Sequence, residues 1–288
     1  MAYLTARDTP MISVIIATKN ETKNIERILT SLAEQTHQDF EVIVVDNNST
    51  DGTLELARKT ASNINAIPLP NQASKGKKNF RGAQINYGTQ IAKGDKYFFP
   101  DADMTFNRNL LEEANQLLKN SEALFVPEKI IGKGAFGEIR NFERSFYDTT
   151  CIDAPRFVTK SIFEKVGGFD EYNMSFGPDD WDFNLKLNAN TQNIGITKSE
   201  IFHHETELSF FDYLSKKNNY VVTFDDYKKK WRGHPALKKQ FGFKYRYFVV
   251  FVENGKWQKL LGNPSLAFAM FGVRILVGLI YCLRRIFK

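Results

Sequence analysis

Asp101 and Asp103 stand at the end of the apolar stretch in "YFFPDADMTF". Each carboxylate raises the cost of ionising the other. Two hard oxygen ligands at i and i+2 on a tight turn suit a divalent cation, Mg2+ or Mn2+, whose charge relieves that repulsion. Such an ion keeps coordination positions for phosphate oxygens, which makes a nucleoside diphosphate the natural ligand. On the motif alone, a solvated acidic turn is the other reading. A second acidic group, Asp179, Asp180 and Asp182, lies beside Trp181 in "GPDDWDF". Carboxylates also favour the first turn of a helix, so Asp179 and Asp182 can serve as helix-start residues.

The elements that must position these groups follow from hydrophobic pattern. "ISVIIAT" reads as a buried strand, and apolar Ile25, Ile28, Leu29 and Leu32 then recur at helical spacing. "FEVIVVD" is a second buried strand, with Ser49, Thr50 and Asp51 as candidate caps for the next helix. "INAIPLP" predicts a short third strand, "GAQINYGTQIAKG" a helix and "DKYFFPD" a further strand. Strand–helix alternation of this kind predicts a parallel sheet covered on both faces. Ligands bind such sheets outside the strand carboxyl ends, so Thr18, Asp46 and Asp101 should meet at one crevice. No G-x-G-x-x-G follows the first strand, which disfavours an ordinary dinucleotide fold. "GKGAFGE" (residues 132–138) lacks the ending and setting of a phosphate loop and reads as a flexible loop.

Three blocks carry a resemblance: "VIIATKNETKNIERILTSLAEQTHQDFEVIVVDNNSTDGT", "GAQINYGTQIAKGDKYFFPDAD" and "VGGFDEYNMSFGPDDWDFNLKL". In this order, over about residues 11–205, the chain resembles the family 2 glycosyltransferases. The resemblance implies an α/β fold of GT-A type: a mainly parallel sheet flanked by helices, with a nucleotide-binding half and an acceptor half. It also implies a nucleoside-diphosphate sugar donor (UDP- or GDP-linked), a divalent metal and inversion at the anomeric carbon. Thr18 and Glu21 fall where the family holds the nucleoside, and Asp46 where it contacts base or ribose, or else caps its loop. Asp101 and Asp103 fall on the D-x-D, Asp103 being the more direct metal ligand. Asp180 falls on the general base. Asp179 beside it would tune that base, bind the acceptor or cap the helix, and Trp181 would stack on a sugar or anchor the core. His203, with His204 as the neighbouring alternative, falls near the metal and diphosphate. The family often has an Arg where Ile85 stands; Lys75, Lys77, Lys78 and Arg81 lie upstream to replace it, and Lys77 is the residue selected.

Charge divides the chain. Residues 1–211, the expected GT-A domain, carry 23 Lys and Arg against 29 Asp and Glu, whereas residues 212–288 carry 16 against 4. A basic, aromatic and apolar tail on an acidic body points to an anionic surface. In "SLAFAMFGVRILVGLIYCL" Arg274 interrupts a run barely long enough to span a bilayer. Arg274, Tyr281, Arg285 and Lys288 share one helical stripe, which predicts an amphipathic membrane-association helix in the interface with its cations at the headgroups. A spanning helix and a core helix are the alternatives. The tail is expected to be separable from the catalytic fold. A looser resemblance, from "HHE" to "NPSLAFAMFGVRIL", to transferases acting on polyprenyl-linked acceptors implies a lipid-linked or glycan acceptor. The expected location is the cytoplasmic face of a membrane. Only two cysteines, far apart, argue against a disulfide framework, and residues 1–10 contain no apolar leader-like run. A nucleotidyltransferase and a non-enzymatic membrane or nucleic-acid module are the competing functions. The apolar content of the tail favours lipid, so no nucleic-acid partner is expected.

Overall fold

The computed structural model describes residues 11–60, 64–174 and 177–286, except the side chains of 219–222, 281 and 284–286. In β1 (Ile12–Thr18), Ile12, Val14 and Ile16 enter one apolar layer and Ile15 the other. A strand buried on both faces needs no polar alternation, which is the pattern of a parallel sheet between helices. α1 (Thr22–Ala33) returns the chain to β2 (Phe40–Asp46), and α2 (Thr53–Thr60) to β3 (Ile64–Pro68). α3 (Asn71–Ser74) and α4 (Phe80–Ile91) lead to β4 (Lys96–Phe98). These four strands run parallel in the order β3-β2-β1-β4.

Next come β5 (Met104–Phe106), α5 (Leu110–Leu117), β6 (Ala123–Phe125), β7 (Glu128–Ile131) and α6 (Gly134–Arg144). β8 (Phe157–Thr159), α7 (Lys160–Lys165), α8 (Asp179–Asn190), β9 (Ile194–Ile196) and β10 (Ile201–His204) follow. β8, β6 and β9 extend the main sheet to seven strands, with β8 antiparallel to β4 and β6. β5, β10 and β7 form a second, three-stranded sheet. The helices α1, α2 and α5 cover one face of the main sheet, and α4, α7 and α8 the other. α4 lies close because Gly88 faces β1: a Cβ there would collide with Ile15 Cγ2. The close seat fixes α4, whose first turn carries Arg81, and Asn79 caps that turn by accepting from Gly82 N.

Residues 132–138 are not a loop. α6 begins at Gly134, and Gly132 and Gly137 approach so closely that a Cβ on either would strike the other's backbone. Glycines flank Phe136, which packs on Phe210 and Tyr213, and they hide the helical period that Ile139 and Phe142 continue.

The C-terminal region packs onto the catalytic half. α9 (Phe210–Lys230) opens with a Ser209–Asp212 capping box. α10 (Pro235–Gln240), a π turn (Tyr245–Val249), α11 (Val250–Val252), α12 (Trp257–Gly262) and α13 (Pro264–Ile286) follow. Phe142 and Phe146 share a core with Phe251, Ala267 and Met270, so α13 closes over α6. A second cluster joins Leu185 and Trp181 of α8 to Tyr227 and Phe241. Both clusters tie the expected tail to the catalytic half.

The expected place of Arg274 is corrected. It is 6% exposed and points inward, with Nη1 2.6 Å from Glu143 Oε1 and further bonds to the Tyr147 hydroxyl and the Arg246 carbonyl. A carboxylate on α6, not a headgroup, pairs with the guanidinium. Phe268, Ile275, Leu276, Leu279 and Leu283 face outward instead. The side chains of Tyr281 and Arg285, and all of Lys288, lie outside the described residues. Among the described residues no helix is long and apolar enough to cross a membrane.

Candidate active site

Three strand ends meet at the top of the sheet. Thr18 pairs with Asp46 in the β1–β2 register, and Ala17 bridges Asp101. Asp46 is buried: Oδ1 accepts from the Thr18 hydroxyl and from the Ser49 hydroxyl, and Oδ2 from Ser49 N. Its carboxylate therefore fixes the turn after β2. Glu21 lies at the mouth, where Asn24 donates to it. Burial raises the Glu21 carboxyl despite that bond, and the Asp103 and Asp101 charges add to the rise.

A chain of alternating charge runs along the rim. Arg81 donates from Nε to Asp101 Oδ1 at 3.0 Å and from Nη1 to Asp179 Oδ2 at 3.2 Å and Asp180 Oδ1 at 3.0 Å. Arg156 donates to Asp101 Oδ2 at 3.0 Å and to Glu128 Oε2 at 3.2 Å. Glu128 Oε1 is 2.9 Å from His203 Nδ1, and His203 Nε2 is 3.0 Å from Asp103 Oδ2. Burial would raise the Asp101 carboxyl, but Arg81 and Arg156 outweigh it and hold the group well below the usual range. Burial alone would lower His203, but its bonds to Asp103 and Glu128 push it up to about 10. The ring is thus a cation in this arrangement.

Several expected residues take other positions. Lys77 does not reach the rim: its ammonium pairs with Glu171 and lies over Tyr172. Lys78 pairs with Asp226, and Lys75 is exposed. Arg81 is the member of that run aimed at the carboxylates. Ile85, where the family often has Arg, is buried in the core. His204 bonds Thr105, leaving His203 against Asp103. Asp179, only 4% exposed, accepts from Gly177 N and Arg81 and so positions Arg81. Burial, with the Asp180 charge added and Arg81 opposing, raises its carboxyl. Asp180 is 33% exposed and borders a cavity. Trp181 stacks on Phe224 and donates to the Ile152 carbonyl, so one ring face is already covered. Asp182 is buried under Trp231 and Lys230. Glu128 and Arg156, both central to the rim, were absent from the sequence expectations.

Among the described residues no three His, Cys, Asp or Glu form a metal-ligand set. Both Asp101 oxygens accept from guanidinium groups. Asp103 and His203 remain as adjacent oxygen and nitrogen donors, with Asp103 31% exposed. A hard cation that takes its remaining ligands from phosphates and water fits two such residues.

Residues 13–176 match the sequence profile described as "Glycosyl transferase family 2". The chain belongs to that family. Among its relatives is a PGL/p-HBAD biosynthesis glycosyltransferase of Mycobacterium bovis, 30% identical over 63% of this chain and 71% of the relative. The poly(ribitol-phosphate) beta-N-acetylglucosaminyltransferase TarS of Staphylococcus aureus is 32% identical over 42% of this chain and 22% of its own length. TarS 1–349 in complex with UDP-GlcNAc superposes with TM-score 0.56 and 22% identity, covering 88% of this chain and 79% of that one. The mannosyltransferase PcManGT from Pyrobaculum calidifontis, in complex with GDP-Man and Mn2+, gives TM-score 0.59 at 17% identity, covering 98% and 88%. These likenesses show the GT-A fold. As a family 2 glycosyltransferase, the protein is an enzyme of glycosyl transfer, which sets aside the nucleotidyltransferase and non-enzymatic readings.

Proposed function

We propose that this glycosyltransferase is inverting and metal-dependent, moving a sugar from a UDP- or GDP-linked donor to a hydroxyl of a lipid-linked glycan. The observation that carries the reading is the pair of accessible carboxylates, Asp103 and Asp180, linked across the rim through Arg81, Asp101, Arg156, Glu128 and His203. Asp103 and His203 would hold Mn2+ or Mg2+, which when bound neutralises charge on the leaving diphosphate. His203 would lose its proton on ligation. Asp180 takes the acceptor proton as the acceptor oxygen bonds to the anomeric carbon and the bond to the diphosphate oxygen breaks. Arg81 and Asp179 hold Asp180 in place, and Arg156 fixes Asp101 and with it the turn that bears Asp103. Both donor types are supported by the nucleotide sugars held by the structural neighbours.

The membrane part of the reading rests on the outer face of α13. Phe268, Ile275, Leu279 and Leu283 are exposed there, on a region carrying 16 Lys and Arg against 4 Asp and Glu. An apolar face with surrounding positive charge suits an anionic membrane surface, and the cytoplasmic leaflet supplies one. Asp180→Asn tests the chemistry. We expect the variant to bind donor with unchanged affinity and to lose transfer by about 10²–10⁴-fold, the usual contribution of a general base. Full activity in Asp180→Asn would overturn the assignment.

A further inference from the structure

His203 has a carboxylate on each side, and the two are not alike. Asp103, 3.0 Å from Nε2, stands at the crevice with its side chain 31% exposed. Glu128, 2.9 Å from Nδ1, lies on the closed side with its side chain 6% exposed. Glu128 is itself held from two further elements. Its Oε2 accepts from Arg144 of α6 at 3.4 Å and from Arg156, just before β8, at 3.2 Å. Arg144 is fixed in turn by Asp148 and Asp153.

The backbone of His203 needs none of these bonds. β10 pairs with β5 and β7, which sets His203 opposite Met104 and Ile130, and His204 N donates to the Asp103 carbonyl at 2.9 Å. This ladder fixes where the ring is attached and leaves its rotation about Cβ–Cγ open. A half-turn about that bond puts carbon where each nitrogen stands and removes both carboxylate contacts. The proton is a second freedom. In a ring with one proton, the nitrogen that donates to a carboxylate carries it, and the other nitrogen keeps its lone pair.

We propose that Glu128 is a positioning residue for cation binding: it orients the His203 ring with Nε2 beside Asp103 and keeps the ring proton on Nδ1, away from the crevice. Carboxylates that accept from the far nitrogen of a ligating histidine act in this way in metal sites generally. The bonds from Arg144 and Arg156 then hold the orienting carboxylate still, so the ion pairs behind the rim serve the crevice. The inference rests on the metal-dependent reading above and adds a residue that orients a ligand without being one. An ion pair that only stabilised the fold would act without His203, and the experiment draws that distinction.

The readout is the Mn2+ affinity of the full chain with UDP or GDP present, taken from the electron paramagnetic resonance signal of free Mn2+, so no turnover is needed. Glu128→Asp keeps the charge between Arg144 and Arg156 but withdraws the carboxylate from Nδ1 by one methylene. Glu128→Gln keeps an oxygen within reach of Nδ1 and loses the charge. We expect Glu128→Asp to weaken Mn2+ binding about 10–100-fold, the usual loss for such a partner, and Glu128→Gln to weaken it less. In a His203→Ala background either change should alter the affinity less than about twofold, because no ring is left to orient. One variant keeps charge and the other shape, so whichever folds carries the cycle. Unchanged affinity in both Glu128 variants, a larger loss in Glu128→Gln than in Glu128→Asp, or the same loss with and without His203 would overturn the inference. If the unaltered protein takes up no Mn2+, or His203→Ala binds it as tightly, the metal reading itself fails and the inference falls with it.

Discussion

Replacing Arg274 by Met separates an inward-facing arginine from one at the headgroups. Met keeps much of the apolar stem and removes the guanidinium that joins α13 to Glu143, Tyr147 and the Arg246 carbonyl. Removing one partner of a buried ion pair costs about 3–5 kcal/mol, because the other charge is left buried. Here Arg140 still donates to Glu143 at 2.8 Å, which places the cost at the low end, about 3 kcal/mol. For a chain of this size that is a drop in Tm of about 6–12 °C. Glu143→Gln in the Arg274→Met background should recover part of it, since the buried charge that lost one of its two arginine partners is then removed. There is a pH signature. Burial opposes ionisation of Glu143, but Arg274 and Arg140 outweigh it and lower the carboxyl to about 2 from an ordinary 4.5. A depressed folded pKa gives stability that is complete above about pH 4.5 and is lost as pH falls toward 2. Arg274→Met should flatten that acid limb. Thermal melts from pH 7 to pH 3, without membranes, make the measurement. A Tm within 2 °C of the unaltered protein, together with weakened binding to anionic vesicles, is the outcome of a lipid-facing arginine, and it would refute the inward pairing.

Other expectations follow from the same structure. Deleting 264–288 should prevent stable folding, because Phe142, Phe146 and Phe251 lose Ala267 and Met270 as cover; a cooperative melt of the truncated chain would contradict this. Gly88→Ala should cost about 1–3 kcal/mol by forcing α4 away from Ile15, measured by urea unfolding. Arg81→Met should lower kcat/KM by at least about tenfold, since Asp101, Asp179 and Asp180 lose one shared partner, whereas Lys77→Met should change it less than about twofold. Equal effects of the two variants would show that Arg81 has no special place at the rim.

The buried half of the fold was legible because its signals are local. β1 and β2 are unbroken apolar runs, α1 shows its period in four residues, and the strand ends carry the acids that topology brings together. The D-x-D turn and the acidic run at Asp179, Asp180 and Asp182 are short local patterns too, and the structure brings Asp101 and Asp180 onto one rim through Arg81. Glu128 and Arg156 were not, since neither falls in a local motif and the bonds that place them on the rim reach 28 or more residues along the chain. Arg81 was one of four neighbouring cations, and only the seat of α4 on the sheet decides which faces the carboxylates. Arg274 misled because helical spacing reports which residues share a face and not which way that face turns. A carboxylate 131 residues away in sequence turns it inward. The glycines at 132–137 resemble a loop until their close contact is known.

The most direct test of the proposed chemistry is calorimetric titration of UDP and GDP into the full chain, with and without Mn2+, for the unaltered protein and Asp103→Asn. If Asp103 is the carboxylate that joins ion and diphosphate, one of the nucleotides binds the unaltered protein in the presence of Mn2+. That affinity falls when the ion is chelated, and in Asp103→Asn the ion makes no difference. Equal affinity with and without Mn2+ in the unaltered protein, or an ion dependence that survives Asp103→Asn, would contradict it.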